Sequence, residues 1–573
     1  YTTSMEILDW IVLSTTLFFI VVYGVVKTKG SATVKDYLLD NNETPWFTVG
    51  VSVMATQASA ITFLSTPGQA YHDGMGFVQF YFGLPIAMIV IAYTFIPIYH
   101  RLKVYTAYEY LEQRFNVETR TLAAVLFLIQ RGLGTGITIY APSIILSALL
   151  GWNLTFLNII IGVLVIIYTV TGGTKAVNVT QKQQMFVIMS GMFITFFVIL
   201  AYLPEDVDFS NVLHIAGANG KMDILDFSYN PETRYTVWSG ITGGFFLMLS
   251  YFGTDQSQVG RYLSGKSIKE SQMGLIMNGI LKVPMQFFIL LTGVLVFVFF
   301  QFNDAPLHFN PTNVEKVLHS DQKKEYEALE AQLNQINIDK KVVNQIYIEQ
   351  LKHNAYDNPT LRKKMIALSL EEKELRNTAK EIISKADNSA ETNDKDYVFL
   401  YFIMNYLPKG LIGLLLAVII SAAMSSSASG LNSLAATSSI DLYKRNVKVK
   451  SEKQYVIATQ YFTLFWGIIA IGFACVSSLF ENLIQLVNII GSIFYGTVLG
   501  IFLIGFYFHY IKGKAAFYSG LISQTIVILI FLKYILFESN ESEKLGYLWL
   551  NLIGVLLTIS IAFLLQKFFR TKA

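Results

Sequence analysis

Residues 52–67 read Ser-Val-Met-Ala-Thr-Gln-Ala-Ser-Ala-Ile-Thr-Phe-Leu-Ser-Thr-Pro. Hydroxyl and amide side chains stand where a membrane helix would carry leucine and isoleucine, and Pro67 closes the stretch. Such a segment is a poor continuous helix, and irregular backbone inside a membrane is tolerated only where it lines a cavity or packs within protein. The main-chain carbonyl groups freed at an interruption can then bind a cation. The stretch therefore predicts a broken helix.

The rest of the sequence places this stretch in a membrane protein. Of 573 residues, 53% are hydrophobic and 14% are charged, with a net charge of +3. A soluble domain carries about 25% charged residues. The balance excludes a soluble enzyme, a nucleic-acid-binding protein and a disordered chain. A single cysteine, Cys475, excludes a disulfide framework, and the histidines show no metal-ligand spacing. We expect an all-α polytopic membrane protein.

Apolar runs of about 20 residues predict about thirteen transmembrane helices. The predicted spans are 6–26, 46–66, 77–98, 121–150, 154–171, 184–203, 237–253, 272–301, 410–440, 455–478, 483–508, 515–537 and 547–567. Lysine and arginine set the orientation. They concentrate in the short loops of one side, and the opposite short loops hold only Lys221, Arg234 and Lys544. This predicts a plasma (inner) membrane protein with its N-terminus outside and its C-terminus in the cytoplasm.

A soluble insertion is predicted at 302–397, on the extracytoplasmic side. Segments 322–352 and 369–386 are rich in Glu, Lys, Gln and Ile, as exposed amphipathic helices are. The insertion is either a surface decoration or a docking module. No obligate protein partner is evident from the sequence.

Three ionisable residues fall within or at the end of spans, where they are costly and usually functional. Arg131 lies in a glycine-rich stretch and either binds a carboxylate through two parallel hydrogen bonds or pairs with helix-end carbonyl groups. Lys282 precedes Pro284, which predicts a locally open helix. This lysine either donates to a solute or forms an internal ion pair, for which Asp255 is the candidate partner.

Span nine contains a serine run, Ala422-Ala-Met-Ser-Ser-Ser-Ala-Ser-Gly430. Sodium is a hard cation that neutral oxygen atoms coordinate well. Two adjacent hydroxyl groups and a carbonyl one turn earlier provide three ligands from one helix, and two carbonyls of a broken helix would complete five. The alternative is close helix packing by small residues, which explains alanine and glycine better than four serines in five residues.

With these features together, the sequence resembles the sodium/solute symporter family, which includes sodium/glucose, iodide, vitamin, monocarboxylate and sialic-acid cotransporters. The stretches that carry the resemblance are Ser59–Pro67, Tyr105–Asn116, Tyr168–Val177, Thr254–Leu263 and Ser439–Tyr443. The resemblance covers nearly all of the chain outside the insertion. The first two stretches look closest to the iodide, vitamin and monocarboxylate branch.

The resemblance implies two inverted five-helix repeats, each with a broken first helix. The segments are then 1–45 (outside peptide, first span, cytoplasmic loop), 46–203 (first repeat), 204–236 (extracytoplasmic loop), 237–301 and 398–508 (second repeat), 302–397 (insertion) and 509–573 (two peripheral spans and tail).

The resemblance also implies the binding residues. The sodium site would use the carbonyl groups of Ala55, Ala58 and Ala422 and the hydroxyl groups of Ser425 and Ser426. The solute site beside it would be lined by Ser59, Thr62, Gln79, Tyr81, Arg131, Asp255, Lys282 and Gln485. Thr62 matches a solute contact of sugar and sialic-acid members, Lys282 matches a sugar-contacting lysine, and Arg131 lies about one turn from an arginine of sialic-acid members.

One departure from the family concerns stoichiometry. Many members carry an aspartate at the start of span six that some use for an additional sodium ion, but Gln181 and Lys182 stand here. We therefore predict one sodium ion per cycle. Lys182 either places its ammonium group where the additional cation would bind or is an ordinary loop lysine on the cytoplasmic side.

These observations predict a sodium-coupled symporter of a small polar solute, namely a sugar, sialic acid or monocarboxylate. Its partners would be the solute, sodium and the lipid bilayer, with no nucleic acid. A sensor built on a transporter-like core would need a soluble cytoplasmic module, and an ion channel would need a continuous polar stripe. The sequence offers no nucleophile–base pair for an enzyme.

Overall fold

The computed structural model describes residues 5–27, 33–352, 358–388, 390, 392–447, 451–476, 483–537 and 544–571. Over these residues the fold is helical, with only an isolated bridge between Thr44 and Gly265. Nine helical segments of the described part are long and apolar enough to cross a membrane, and shorter apolar stretches lie at Ile7–Phe19 and Leu154–Ile167. The predicted class, an all-α polytopic membrane protein, is confirmed.

The helices before the insertion follow the predicted spans. They are α1 (Ile7–Lys27), α2 (Val34–Leu39), α3 (Trp46–Gln57), α4 (Ala60–Asp73), α5 (Leu84–Val90), α6 (Ile96–Leu102), α7 (Glu109–Arg114), α8 (Val117–Leu150), α9 (Leu154–Ala201), α10 (Phe209–Ala218), α11 (Val237–Ser239), α12 (Phe245–Thr254), α13 (Gln256–Leu263) and α14 (Ile268–Phe302). Short 3₁₀ or π turns lie at Asp40–Asn42, Gly74–Tyr81, Ile91–Phe95 and Gly240–Gly244.

The second half contains the insertion and the remaining spans. Its helices are α15 (Pro311–Leu318), α16 (Lys323–Lys352), α17 (Pro359–Ala386), α18 (Val398–Tyr406), α19 (Leu411–Thr437), α20 (Lys444–Asn446), α21 (Glu452–Ala474), α22 (Leu483–Tyr507), α23 (Gly513–Phe531) and α24 (Trp549–Thr571). A 3₁₀ turn covers Lys395–Tyr397, and π turns follow α19 at Ser438–Tyr443 and α23 at Leu532–Leu536.

Span two is interrupted as predicted. Helix α3 ends at Gln57, Ala58 (φ −81°, ψ 71°) and Ser59 (φ −79°, ψ 176°) are not helical, and α4 begins at Ala60. The interruption changes the carbonyl bonding, because the Ser59 amide donates to Gln57 O (3.0 Å) and the Thr62 amide to Ser59 O (2.9 Å). The carbonyl groups of Ala55 and Ala58 therefore lose their usual helical donors.

Span seven is interrupted at Asp255, which separates α12 from α13 with an extended backbone (φ −79°, ψ 119°). The Asp255 carboxylate caps α13 by accepting from the Ser257 amide (2.9 Å). On the other side, the hydroxyl groups of Tyr99 and Tyr108 donate to Gly253 O (2.7 Å) and Thr254 O (2.8 Å). The carbonyl groups at this break are thus satisfied by side chains.

One local expectation was wrong. Pro67 does not end its helix, since α4 continues to Asp73. Pro284 lies inside α14, so the predicted opening beside Lys282 does not end that helix. Proline is tolerated in membrane helices where neighbouring helices pack against the opened backbone. At Pro67 the neighbouring helix is α14, which approaches at Gly293: a Cβ atom there would lie 2.3 Å from Pro67 O.

Helix α9 supplies both predicted spans five and six. We predicted a loop between 171 and 184, but helical backbone continues through it. The two parts of α9 nevertheless have different contacts. In the first part, Asn158 donates to Ala474 O of α21, and Val170 O accepts from Gln460 of α21. In the second part, Gln181 donates to Thr56 on α3. The first part packs antiparallel to α21, and the second lies beside the broken helix.

The insertion is a helical hairpin of α16 and α17, close to the predicted segments. Lys340 and Arg376 both donate to the buried carboxylate of Glu372. The chain that leaves the hairpin packs on α4: a Cβ atom at Gly68 would lie 1.9 Å from Lys395 O, and Lys395 pairs with Asp73 (3.1 Å). The insertion is therefore attached to the outer part of the broken helix.

Candidate functional site

A cavity of about 80 Å³ opens at the interruption of span two. It is lined by Gln57, Ser59, Ile61, Thr62, Phe80, Tyr81, Arg131, Leu247, Met248, Tyr251, Val487, Asn488 and Tyr495. All of these residues belong to helices or turns of the membrane-spanning part. Four of the predicted solute residues, Ser59, Thr62, Tyr81 and Arg131, therefore share one cavity.

A second cavity of about 60 Å³ adjoins the first and shares six lining residues with it, namely Gln57, Ser59, Ile61, Arg131, Tyr251 and Val487. Its other lining residues include Thr56 beside the break, Gly134, Thr135 and Thr138 of α8, and Ser426 and Gly430 of α19. Ser426 of the serine run thus faces the break of span two across this space.

The predicted sodium ligands suit a hard cation. The Ser425 hydroxyl is buried and has no hydrogen-bond partner among the described residues. The Ser426 hydroxyl donates to Ala422 O (2.9 Å), so two predicted ligands already lie in contact. The carbonyl groups of Ala55 and Ala58 lack their usual helical donors, so these predicted ligands are also neutral oxygen atoms without those bonds.

Asp255 and Arg131 form the central ion pair of the site. The Arg131 guanidinium donates to Asp255 Oδ2 and to the Tyr495 hydroxyl (3.1 Å). Tyr495 in turn donates to Asp255 Oδ2 (2.9 Å), and Ser257 donates to Oδ1 (2.7 Å). The Tyr251 ring lies 5.4 Å from the guanidinium carbon. This network joins α8 and α22 to the break of span seven.

Arg131 lines both cavities. Its side chain is 13% exposed, and its buried Nε atom has no acceptor among the described residues. A guanidinium group carries five N–H donors. One terminal nitrogen donates to Asp255 and Tyr495, and Tyr251 also bonds to this guanidinium.

Lys282 is fully buried on α14, and its ammonium group has no hydrogen-bond acceptor among the described residues. The Tyr81 ring, which lines the cavity, lies 6.0 Å away. The alternative of an ion pair with Asp255 is not observed, because Arg131, Tyr495 and Ser257 bind that carboxylate. The lysine is therefore beside the cavity, behind Tyr81.

Gln79 and Gln485 do not line either cavity. The Gln79 amide bonds to Tyr235 O (3.1 Å) and accepts from the Asp226 amide (2.8 Å). Gln485 accepts from Arg234 (2.9 Å) and donates to Gln69 (3.3 Å). Both predicted solute residues instead hold the 204–236 loop to the spans.

Gln181 takes the position of the missing carboxylate and bonds to span two. Ser52 donates to its Oε1 atom (2.6 Å), and its Nε2 atom donates to Thr56 (3.1 Å). Lys182 donates to Thr48 (3.2 Å), about two turns from Thr56 on the same helix. This position favours the interpretation of Lys182 as a residue of the cytoplasmic end.

Four residues that line the main cavity, Gln57, Tyr251, Asn488 and Tyr495, are not among the predicted site residues. A polar residue in an apolar helix was the available signal for Asn488, which interrupts a hydrophobic run, and Gln57 belongs to the polar stretch of span two. The aromatic residues gave no signal, because tyrosine is common throughout this chain.

Comparisons with known proteins agree with this architecture. The model of a family described as "Sodium:solute symporter family" matches residues 37–330 and 365–523. The unmatched residues between them, 331–364, fall within the insertion. The match therefore covers most of the membrane-spanning part.

Two curated relatives are similar over most of this chain. The "Sodium-coupled monocarboxylate transporter 1" of Xenopus laevis is 27% identical over 516 residues, which are 90% of this chain and 70% of that protein. The "Sodium-dependent multivitamin transporter" of Oryctolagus cuniculus is 26% identical over 519 residues, which are 88% of this chain and 67% of that protein.

A solved structure shares the fold. It is described as the substrate-bound outward-open state of a Na+-coupled sialic acid symporter. It matches with a TM-score of 0.73 over 98% of both chains, at 23% identity. At this identity the likeness is one of fold alone.

Proposed function

Because the chain belongs to the sodium:solute symporter family, we propose that it takes up a small monocarboxylate together with sodium by alternating access. The observation that carries the choice of solute is Arg131, whose side chain lines the main cavity and is 13% exposed. Arginine binds carboxylates through two parallel hydrogen bonds. The curated Xenopus relative is named a monocarboxylate transporter, which supports the same class.

The lining of the cavity favours a monocarboxylate over a sugar. A sugar offers many hydroxyl groups, and a site for it needs several side-chain amides and carboxylates. Here Gln79 and Gln485 bond to the 204–236 loop, and Asp255 is bound to Arg131. Gln57 and Asn488 are the amides that line the cavity, and its aromatic and aliphatic walls include Phe80, Leu247 and Met248. Such walls suit the apolar part of a short carboxylic acid.

Sodium would bind where α19 faces the break between α3 and α4. The ligands would be the carbonyls of Ala55, Ala58 and Ala422 and the hydroxyls of Ser425 and Ser426. The bound ion would hold these helices together and so order Ser59 and Thr62, which line the solute cavity. Because the two ligands stabilise one arrangement, each would raise the affinity for the other by the same factor.

The number of sodium ions limits how far a solute can be concentrated. One charge moving through about 100 mV releases about 2.3 kcal/mol. A tenfold sodium gradient adds about 1.4 kcal/mol. A monoanion carried with one sodium moves no net charge, so only the gradient remains and accumulation reaches about tenfold. Uptake of a monocarboxylate with one sodium ion is therefore expected to be electroneutral and to concentrate the solute only about tenfold.

Uptake into proteoliposomes tests the proposal. Lactate and lactamide have nearly the same shape, but only lactate carries the carboxylate that Arg131 would bind. We expect an inward sodium gradient to drive lactate uptake, and lactamide or a choline gradient to give none. Accumulation of lactamide or glucose in place of lactate would show that the solute is neutral. Absence of sodium dependence for every solute would reject symport itself.

A further inference from the structure

The segment 226–236 crosses the side of the protein that we predict to be outside, just before α11. We call it the outer strap. Most of its residues are exposed, from Phe227 to Arg234, whereas the residues that bind it belong to buried positions of three spans. A peptide segment held by buried side chains has a defined position.

Gln79 makes the first attachment. Its amide is 1% exposed and bonds to both ends of the strap, accepting from the Asp226 amide (2.8 Å) and donating to Tyr235 O (3.1 Å). The next two residues of the same turn, Phe80 and Tyr81, line the solute cavity. Gln79 therefore stands directly outside the wall of that cavity.

Gln485 makes the second attachment, on α22. It accepts from Arg234 of the strap (2.9 Å) and donates to Gln69 of α4 (3.3 Å). One turn further along α22, Asn488 lines the cavity, and on α4 Thr62 does so two turns from Gln69. The strap, α22 and the outer part of the broken helix are thus joined one to two turns outside the cavity.

The hydroxyl groups of Tyr235 and Tyr547 make a third contact (2.9 Å), and the Tyr235 ring packs edge-on against Phe77 (5.0 Å). The backbone that follows the strap also lies close to Gln79, since a Cβ atom at Gly240 would lie 2.0 Å from Gln79 O.

We propose that the outer strap is the outer gate of the cavity, and that Gln79 and Gln485 are its latch. Opening to the outside requires the Asp226–Gln79, Tyr235–Gln79 and Arg234–Gln485 hydrogen bonds to break, and inward opening keeps them. The two glutamines thus act on access to the site and do not contact the solute. The inference rests on the proposed function only in calling the cavity the solute site.

Thiol labelling measures access without transport. In a Cys475→Ala background, Leu247→Cys places a reporter in the cavity wall. A membrane-impermeant methanethiosulfonate reagent is then applied from outside, without sodium or solute. We expect Arg234→Ala and Gln485→Leu each to raise the labelling rate about fivefold, as loss of one hydrogen bond implies. The matched control is Glu232→Ala, which removes the charge of an exposed residue in the same strap and should leave the labelling rate unchanged.

A cross-link tests the closed position. Arg234→Cys with Gln485→Cys, joined by a short bifunctional thiol reagent, should reduce labelling of the reporter at least tenfold, and a reducible linker should restore it. Unchanged labelling in both the latch variants and the cross-linked protein would overturn the gate. Normal gating with no sodium-driven uptake would instead count against the proposed function.

Discussion

Arg131 of α8 and Asp255 at the break of span seven form an ion pair inside the membrane, with Tyr495 bonded to both partners. The pair joins a continuous helix to the unwound point of a broken one. The same arginine faces the cavity, so a solute carboxylate would meet a guanidinium that already has one anionic partner. If the proposed function holds, this arrangement would connect solute binding to the break.

The ion pair gives the first prediction. Asp255→Asn should lower stability by about 3–5 kcal/mol, because removing one partner leaves a buried charge uncompensated. Combining it with Arg131→Gln should recover most of the melting temperature, and lactate uptake should remain absent. Thermal melts of the purified single and double variants check this. Additive losses in the double variant would show that the two residues do not interact.

Sodium binding gives the second. Ser425→Ala with Ser426→Ala should abolish sodium-stimulated uptake and leave the folded protein intact, because two of five proposed oxygen ligands are lost. Ser433→Ala is the control, since that buried hydroxyl on the same helix bonds to Gly430 O (2.8 Å). Uptake against sodium concentration is the measurement. Unchanged sodium dependence in the double variant would refute the site.

Gln181 gives the third prediction. Gln181→Asp places a carboxylate beside the hydroxyl groups of Ser52 and Thr56. We expect one additional sodium ion per cycle, seen as an increase of one in the charge moved per solute. Gln181→Asn has the same length without the charge and should move no additional charge. A wild-type value near one positive charge per lactate, in place of zero, would contradict the one-sodium prediction.

Lys282 gives the fourth. Lys282→Met removes a buried ammonium group that has no hydrogen-bond acceptor among the described residues, so thermal stability should rise. If the lysine acts on the solute through Tyr81, the KM for lactate should increase about tenfold, which corresponds to about 1.4 kcal/mol. The sodium affinity should change less. Lys269→Met, exposed on the same helix, is the control. Wild-type affinities would assign Lys282 a structural role.

The insertion gives a prediction about pH. Burial alone would raise the pKa of Glu372, but Lys340 and Arg376 outweigh it and lower this pKa to about 2. A lowered pKa means that the ionised carboxylate stabilises the fold above about pH 4.5 and that this stability is lost as the pH falls toward 2. Hydrogen exchange of α16 and α17 should therefore accelerate in that range.

Glu372→Gln tests the cause. It should accelerate exchange at neutral pH, since Lys340 and Arg376 lose their shared partner, and it should flatten the change below pH 4.5. Glu371→Gln, exposed on the neighbouring position, should behave as the wild type. An acid-induced change that persists in Glu372→Gln would place its origin at another group, such as Asp394, whose pKa His308 also lowers.

The sequence determined the class of the protein and the position of its first broken helix. Both follow from local composition: apolar runs of sufficient length must cross the membrane, and the polar residues around Ala58 and Ser59 cannot continue an apolar helix. The hydroxyl run at Ser425 and Ser426 was visible for the same reason. Four residues that the sequence analysis predicted at the solute site, Ser59, Thr62, Tyr81 and Arg131, line one cavity.

Only the tertiary structure decided what each polar side chain contacts. Gln79 and Gln485 were expected at the solute, yet their amides bond to the outer strap, which is distant in sequence from both. Asp255 pairs with Arg131 and leaves Lys282 without a carboxylate. Pro67 remains helical because Gly293 packs against it. Hydrogen bonds and ion pairs act over a few ångströms in space, and separation along the chain does not reveal which groups the folded helices bring that close.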